Sequence, residues 1–298
     1  MLLCTWNLGC KDAEAPKAGA FKWLGDLCQR LKPEILALGL QELNPRLLPE
    51  VEQTVVQVLN AAVPGAEFQV TSEHCGSYLP LLLLSPVKVT AEAAALRFTF
   101  DKHEVCSKGC VALQFEQKLP ICVANAHLEA GHGKLEARNE MFAQIAERFP
   151  ARDGHLLVVL GDLNYRLQGL QSFTEPTKKT PLASRCPKFL AEFEDAVAKC
   201  YSGEVVQLLE TCQLHGPRRS YGFEEAPVRF HPTYKRAKAD STEGVPRYDL
   251  EEPRMPGWCD RILWRCGQKV EVEVSEYSAV ESADFSDHRP VYAVLDVR

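Results

Sequence analysis

Several features are scarce in this 298-residue chain, and each scarcity excludes a class of protein. No window approaches the roughly 18 uninterrupted apolar residues of a membrane span. The most apolar stretch, Tyr78 to Val89, is broken by Pro80, Ser85, Pro86 and Lys88. Positive charge is in deficit: 34 Lys and Arg against 40 Asp and Glu leave a net charge of −6. Such a chain binds nucleic acid or anionic lipid poorly, because non-specific phosphate affinity comes from Lys and Arg. No basic, apolar leader opens the sequence; MLLCTWNLGC reaches polar Asn7 too soon for a signal peptide. The C-terminal VLDVR carries no CaaX signal. No CxxC pair occurs, and no second pair at zinc-like spacing follows Cys106 and Cys110. No repeat or low-complexity linker divides the chain. The expectation is a cytoplasmic protein whose 1–298 form one domain, monomeric and without a nucleic-acid partner.

Apolar residues make up 46% and charged residues 25%, ordinary values for a folded domain rather than a disordered or fibrous chain. The 12 Cys, with no secretion signal, read as reduced thiols that mostly fill a core. Short β-like runs alternate with amphipathic helices. Phe21, Leu24, Leu27 and Leu31 share a helix face, and Ile35 to Leu40 follows as a buried strand. Leu48 to Leu59 is helical in spacing. Ile121 to Ala126 and His155 to Leu160 read as strands around a helix carrying Leu135, Phe142, Ile145 and Phe149. Two more helical stripes follow, Phe189 to Val197 and Val205 to Cys212. The end is β-like at Ile262 to Trp264, Val270 to Val274 and Val291 to Val297. This alternation points to an α/β class. Leu167 to Cys186, rich in Thr, Pro, Lys and Ser, reads as a surface loop.

The chemistry sits where these strands end. One apolar run leads into Asn7 and ILALGL into Gln41 and Glu42. ICVANA leads into His127, and HLLVVL into Asp162 and Asn164. Asp287 and His288 precede the last strand. A lone Asn or Glu there is usually a turn former. Five strand ends carrying Asn, Asp, Glu or His converge on one rim, where α/β proteins place their sites. Carboxylate and amide oxygens suit Mg²⁺, His suits proton transfer or charge stabilisation, and a neighbouring Asp fixes a His tautomer.

Motifs then fall in a specific order: TWN at 5–7, LQE at 40–42, KGCVALQF at 108–115, AHLEAG at 126–131, RN at 138–139, GDLNYRL at 161–167, FHPTYK at 230–235, PGWCDRILW at 256–264 and SDHRPV at 286–291. Together they resemble the catalytic domain of the inositol polyphosphate 5-phosphatases, within the DNase I-like endonuclease/exonuclease/phosphatase superfamily. The resemblance implies a four-layer αββα sandwich, two β-sheets face to face with helices outside. It implies Mg²⁺-dependent hydrolysis of the 5-phosphate of an inositol polyphosphate or phosphoinositide headgroup, with no covalent intermediate. Glu42 would be the main metal ligand, with Asn7 nearby and Asp287 completing the cluster. Asp162 would orient or deprotonate the attacking water, with Asn164 beside it. His127 and His288 would contact the scissile phosphate, and Asp260 would orient His288. Lys108, Tyr234, Lys235 and Arg254 would hold the ring phosphates, Tyr234 and Lys235 resembling the pair that recognises the 4-phosphate.

The departures from the family pattern are small: Ala126 for Ser, Cys110 and Gly257 for other small residues, and Gly131 where many members have His. His132 then falls outside the motif. The stretch 167–199 is longer than its family equivalent. Arg138 and Asn139 would support the site, whereas Trp6, Trp258 and Trp264 read as core aromatics. Lys178, Lys179, Arg218 and Arg219 read as solvated charges. Cys212 to Arg218 has the bare C-x5-R spacing of cysteine-dependent phosphatases, but Cys212 falls on an apolar helix face and the Gly is misplaced. Two alternatives stand beside the 5-phosphatase reading: a superfamily nuclease or other phosphodiesterase, and a non-catalytic phosphoinositide-binding scaffold. Peripheral contact with a membrane is compatible with a lipid substrate, although the negative charge opposes it.

Overall fold

The computed structural model describes residues 1–10, 14–76, 78–100, 103–167, 187–202, 204–237, 247–250 and 254–298. From the N-terminus, β1 (Leu2–Cys10) and β2 (Leu36–Leu43) are joined through α1 (Lys22–Leu31). Then come α2 (Leu48–Ala62), β3 (Gln69–Cys75), β4 (Leu79–Ser85), β5 (Ala91–Phe100), β6 (His103–Glu116) and β7 (Pro120–His127). After α3 (Leu135–Arg148) and β8 (Leu156–Asp162) come α4 (Pro187–Ser202), α5 (Val205–Glu210) and α6 (His215–Ser220). The chain closes with β9 (Asp260–Cys266), β10 (Val272–Ala279) and β11 (Val291–Val297).

The strands form two mixed sheets, ordered β10-β11-β1-β2-β4-β3 and β5-β6-β7-β8-β9. Alternation along each strand sends its side chains into two different cores. Leu3, Ala37, Leu81 and Leu83 of the first sheet meet Val111, Val123, Val158 and Ile262 of the second. The opposite face of the first sheet, with Leu2, Cys4, Leu36 and Leu38, packs on Leu24 of α1 and on Val51, Val55 and Leu59 of α2. The opposite face of the second packs Ala112, Ala124 and Val159 on Met141, Phe142 and Ile145 of α3. The result is the expected four layers, and each buried Leu, Ile or Val adds about 1.5–3 kcal/mol to the apolar drive.

The parallel pairs place the chemistry. β1 runs parallel to β2, with Asn7 opposite Gln41. β7 runs parallel to β8, with His127 opposite Asp162. Each pair is buried on both faces, so its strands read as near-continuous apolar runs until the last residues.

Several elements depart from the sequence expectation. The apolar stretch after Tyr78 is β4, a strand paired to β2 and β3. β3, β5 and β6 are strands beyond those the sequence pattern predicts; β5 reads AEAAALRFTF, a helix-like composition that its pairing with β6 overrides. The last-but-one strand is shifted, beginning at Val272 and running to Ala279. α5 ends at Glu210, so Cys212 lies beyond it in a β-bridge with Leu167. Of the expected loop and insertion, 168–186 lies outside the described residues, Lys178 and Lys179 included, and 187 onward begins α4.

Candidate active site

The space between the sheets changes character toward one rim. Inward positions run Leu3, Thr5, Asn7 on β1 and Val123, Asn125, His127 on β7. They run Val158, Leu160, Asp162 on β8 and Trp264, Ile262, Asp260 on the antiparallel β9. The rows therefore end in polar groups that face one another. Asn7 Nδ2 donates to Asp162 Oδ2 at 2.9 Å, linking the two sheets. His127 Nε2 lies 3.5 Å from Asp162 Oδ2 and 3.9 Å from Glu42 Oε1. His288 Nε2 lies 3.9 Å from the same Asp162 oxygen, and its Nδ1 is 2.9 Å from Asp260 Oδ2. Glu42 reaches the rim because its backbone is left-handed, with φ 58°, where strand alternation would have turned it toward α1 and α2.

Local structure holds each group in place. Gly161 has φ 143°, and a Cβ there would lie 1.9 Å from the Ala126 carbonyl oxygen, so β7 and β8 meet closely beneath His127 and Asp162. Asn164, also left-handed at φ 54°, donates its backbone N–H to Asp162 Oδ1 and its Nδ2 to the Leu128 carbonyl, both at 3.1 Å. Ser286 Oγ donates to the Asn7 carbonyl and accepts from the His288 N–H, tying the last loop to β1.

The charges follow from this packing. Burial opposes ionisation of Asp162, but His288, His127, Lys108 and the Asn7 hydrogen bond outweigh it and bring the carboxyl down to about 2. Burial also opposes charging His288, yet Asp260 and Asp162 on either side raise it to about 9. Asp260 is itself raised, first by burial. The site holds a carboxylate beside an imidazolium at neutral pH, within a fully buried floor.

The expected ring-phosphate groups lie around this centre. Lys108 Nζ is 2.5 Å from His127 Nε2. The Tyr234 ring lies against His288, with centroids 4.6 Å apart. Lys235 pairs with Asp249 at 2.7 Å. Arg254 is half-buried and its charge acts on the Tyr234 hydroxyl. Asp287 lies beside His288: its carbonyl accepts from the Arg236 N–H, and its charge acts on Tyr234 and His288. Among the described residues, Asp162, Asp260 and His288 bring metal-capable atoms within 4.8 Å of one another.

Other motif residues support the site, Arg138 and Asn139 as expected and the rest in roles the sequence did not assign. Arg166 donates to Asn164 Oδ1 at 2.8 Å and stacks over the Tyr234 ring. Thr233 Oγ1 donates to Asp260 at 2.6 Å. Trp6 is a core aromatic, as expected, but its Nε1 also donates to the His288 carbonyl. Arg138 is fully buried and binds the Glu129 and Gly131 carbonyls, holding the loop after His127. Asn139 accepts from the Tyr165 hydroxyl. Arg218 is paired with Glu225, not simply solvated. The C-x5-R segment forms no phosphate cradle: Cys212 is buried against Arg261, and His215 onward is helical. The side chains of Cys106 and His132 lie outside the described residues.

A model of Endonuclease/Exonuclease/phosphatase family 2 matches residues 4–294. A type II inositol 1,4,5-trisphosphate 5-phosphatase from Mus musculus is 26% identical over 98% of this chain. A phosphatidylinositol 4,5-bisphosphate 5-phosphatase from Saccharomyces cerevisiae, INP51, is 31% identical over 83% of it. The aligned parts are 29% and 25% of those relatives' lengths, so the chain spans under a third of each. The crystal structure of the synaptojanin inositol polyphosphate 5-phosphatase domain, in complex with inositol (1,4)-bisphosphate and calcium ion, superposes with a TM-score of 0.75 at 24% identity. That superposition covers 100% of this chain and 84% of the other, and shows the same DNase I-like fold. The chain belongs to Endonuclease/Exonuclease/phosphatase family 2, and the relatives it resembles are inositol polyphosphate and phosphoinositide 5-phosphatases.

Proposed function

We propose that this chain, as one catalytic domain, hydrolyses the 5-phosphate of an inositol polyphosphate or of a phosphoinositide headgroup, with Mg²⁺. The observation that carries the reading is Asp162: an ionised, buried carboxylate held between Asn7, His127 and His288, with Glu42 across the gap. The donors fit a hard divalent ion, since Glu42 and Asn7 offer oxygen atoms at the rim. His288 is the poorer ligand, because a protonated imidazole has no lone pair to give. Glu42, with Asn7 and with Asp287 completing the cluster, would therefore hold the ion, and Mg²⁺ would neutralise charge on the phosphate oxygens.

The remaining steps fall to side chains. A carboxylate near 2 is a weak base, so Asp162 with Asn164 orients the attacking water more than it deprotonates it. Phosphoryl transfer through a loose transition state needs little more than that. His288, charged and aimed by Asp260, presents Nε2–H to a phosphate oxygen. His127 and Lys108 add donors to the same phosphate, and Tyr234, Lys235 and Arg254 supply donors for the other ring phosphates. No cysteine or serine nucleophile is needed. The domain would act as a monomer without nucleic acid. Action on lipid would be through peripheral contact. No helix among the described residues is long and apolar enough to cross a membrane.

The test is phosphate release by purified protein with Mg²⁺, from inositol 1,4,5-trisphosphate and from micellar phosphatidylinositol 4,5-bisphosphate. Release abolished by EDTA and by Asp162→Ala supports the reading, and the ratio of rates assigns the preferred substrate. A folded protein that releases phosphate from neither refutes it.

A further inference from the structure

Between the apolar interior of the sandwich and its charged rim lies a layer of neutral polar side chains with no assigned role. Thr5, Gln41 and Asn125 are all fully buried. Gln41 Nε2 on β2 donates to Thr5 Oγ1 on β1 at 2.9 Å. It also donates to Asn125 Oδ1 on β7 at 2.7 Å, a bond that crosses from one sheet to the other. Asn125 Nδ2 returns the link, donating to the Leu40 carbonyl on β2 at 2.9 Å and the Pro80 carbonyl on β4 at 2.7 Å. One side chain of the second sheet thus grips two strands of the first.

Gly39 makes room for this link. A Cβ at Gly39 would lie 2.7 Å from Asn125 Cγ and Oδ1, and 2.2 Å from Leu160 Cδ1. The layer also stands directly beneath the site. Asn125 is two residues before His127, Thr5 two before Asn7, and Gln41 immediately before Glu42. Gln41 is also the register partner of Asn7.

Aliphatic side chains resist separation of the sheets but scarcely resist sliding, because the hydrophobic effect has no direction. Hydrogen bonds do have direction and weaken steeply when misaligned. The contacts the chemistry needs, Asn7 to Asp162 and Glu42 to His127, cross the same gap just above the amides.

We infer that Gln41 and Asn125 are positioning residues: a cross-sheet amide latch that sets Asn7 and Glu42 of one sheet against His127 and Asp162 of the other. The latch touches no substrate. Its catalytic consequence rests on the phosphatase reading, and its effect on Glu42 and Asn7, the proposed metal ligands, is read separately as Mg²⁺ affinity.

The test is Gln41→Met, which keeps the side-chain length and removes the donor, leaving Asn125 bound to β2 and β4. Phosphate release from inositol 1,4,5-trisphosphate gives kcat and KM, and Mg²⁺ titration of the whole chain by calorimetry gives metal affinity. The expected result is kcat lower by roughly 10- to 100-fold, the scale of sub-ångström to ångström misplacement. KM should stay within about twofold, because Tyr234 is held against His288 and Arg166 and Lys235 by Asp249, outside the latch. Mg²⁺ should bind more weakly. A folded variant with parental kcat and parental Mg²⁺ affinity would overturn the inference. If Gln41→Met does not fold, Thr5→Val, which removes one acceptor of Gln41 at constant shape, should shift both quantities in the same direction by less. Parental values in Thr5→Val would then overturn it. If the parent binds Mg²⁺ but releases no phosphate, the phosphatase reading fails while the calorimetric comparison still decides the latch. A parent that does neither overturns both.

Discussion

His288 Nδ1 lies 2.9 Å from Asp260 Oδ2, and Thr233 Oγ1 donates to that same oxygen at 2.6 Å. The bond fixes the imidazole ring, keeps a proton on Nδ1 and leaves Nε2 facing Asp162. Asp260→Asn should therefore lower the His288 pKa from about 9. The expected loss in kcat is roughly 10²- to 10⁴-fold, as for other residues that orient a catalytic His. NMR titration of the His288 ring and the pH dependence of phosphate release check this together. An unmoved His288 titration would show that Asp260 does not set its charge.

The same pair makes stability depend on pH in the metal-free protein. His288 is raised from 6.5 to about 9 in the folded state, so its contribution is complete below pH 6.5 and is lost as pH rises through about 9. Asp162 is lowered from 3.8 to about 2, so its contribution is present above pH 3.8 and is lost as pH falls through about 2. Asp260, raised by burial, works against the latter at acid pH. Thermal unfolding in EDTA should show a falling midpoint between pH 6.5 and 9, and His288→Gln should flatten that fall.

Gly161 supports the site by close approach. Gly161→Ala would push a methyl group onto the Ala126 carbonyl, in a backbone conformation that alanine rarely adopts. The expected cost is about 3 kcal/mol, the upper end of ordinary single substitutions. Urea unfolding measures it, and a loss below about 1 kcal/mol would mean that β7 and β8 separate easily.

Cys212 should not matter chemically. Its thiol is buried against Arg261 beyond the end of α5. Cys212→Ser should retain phosphate release within about twofold, with at most a modest loss of stability. Abolished release in a folded Cys212→Ser protein would revive a thiolate mechanism.

Much of this was legible in the chain. β2, β7 and β8 announce themselves as apolar runs because both their faces are buried, and the polar residues that end them stand out against that background. Elsewhere local composition misled: Ala, Glu and Leu in β5 suit a helix, and only the neighbouring β6 makes them a strand. Cys212 fitted a helical stripe, yet the backbone leaves the helix before it. Arg166, Thr233 and Gln41 lie inside recognised motifs, but their roles could not be read there, since each owes its role to a side chain from another part of the fold.

Sequence alone therefore determined the α/β class, the two apolar faces of the central strands and the identity of the groups at their ends, because periodicity and residue chemistry are local. Tertiary structure alone decided that Asp162 is ionised near 2 and His288 charged to about 9. It also decided that Glu42 faces His127 across the sandwich. Those properties depend on distances between groups that lie 28 to 155 residues apart, and electrostatic and hydrogen-bond energies exist only once packing has brought such groups within a few ångströms.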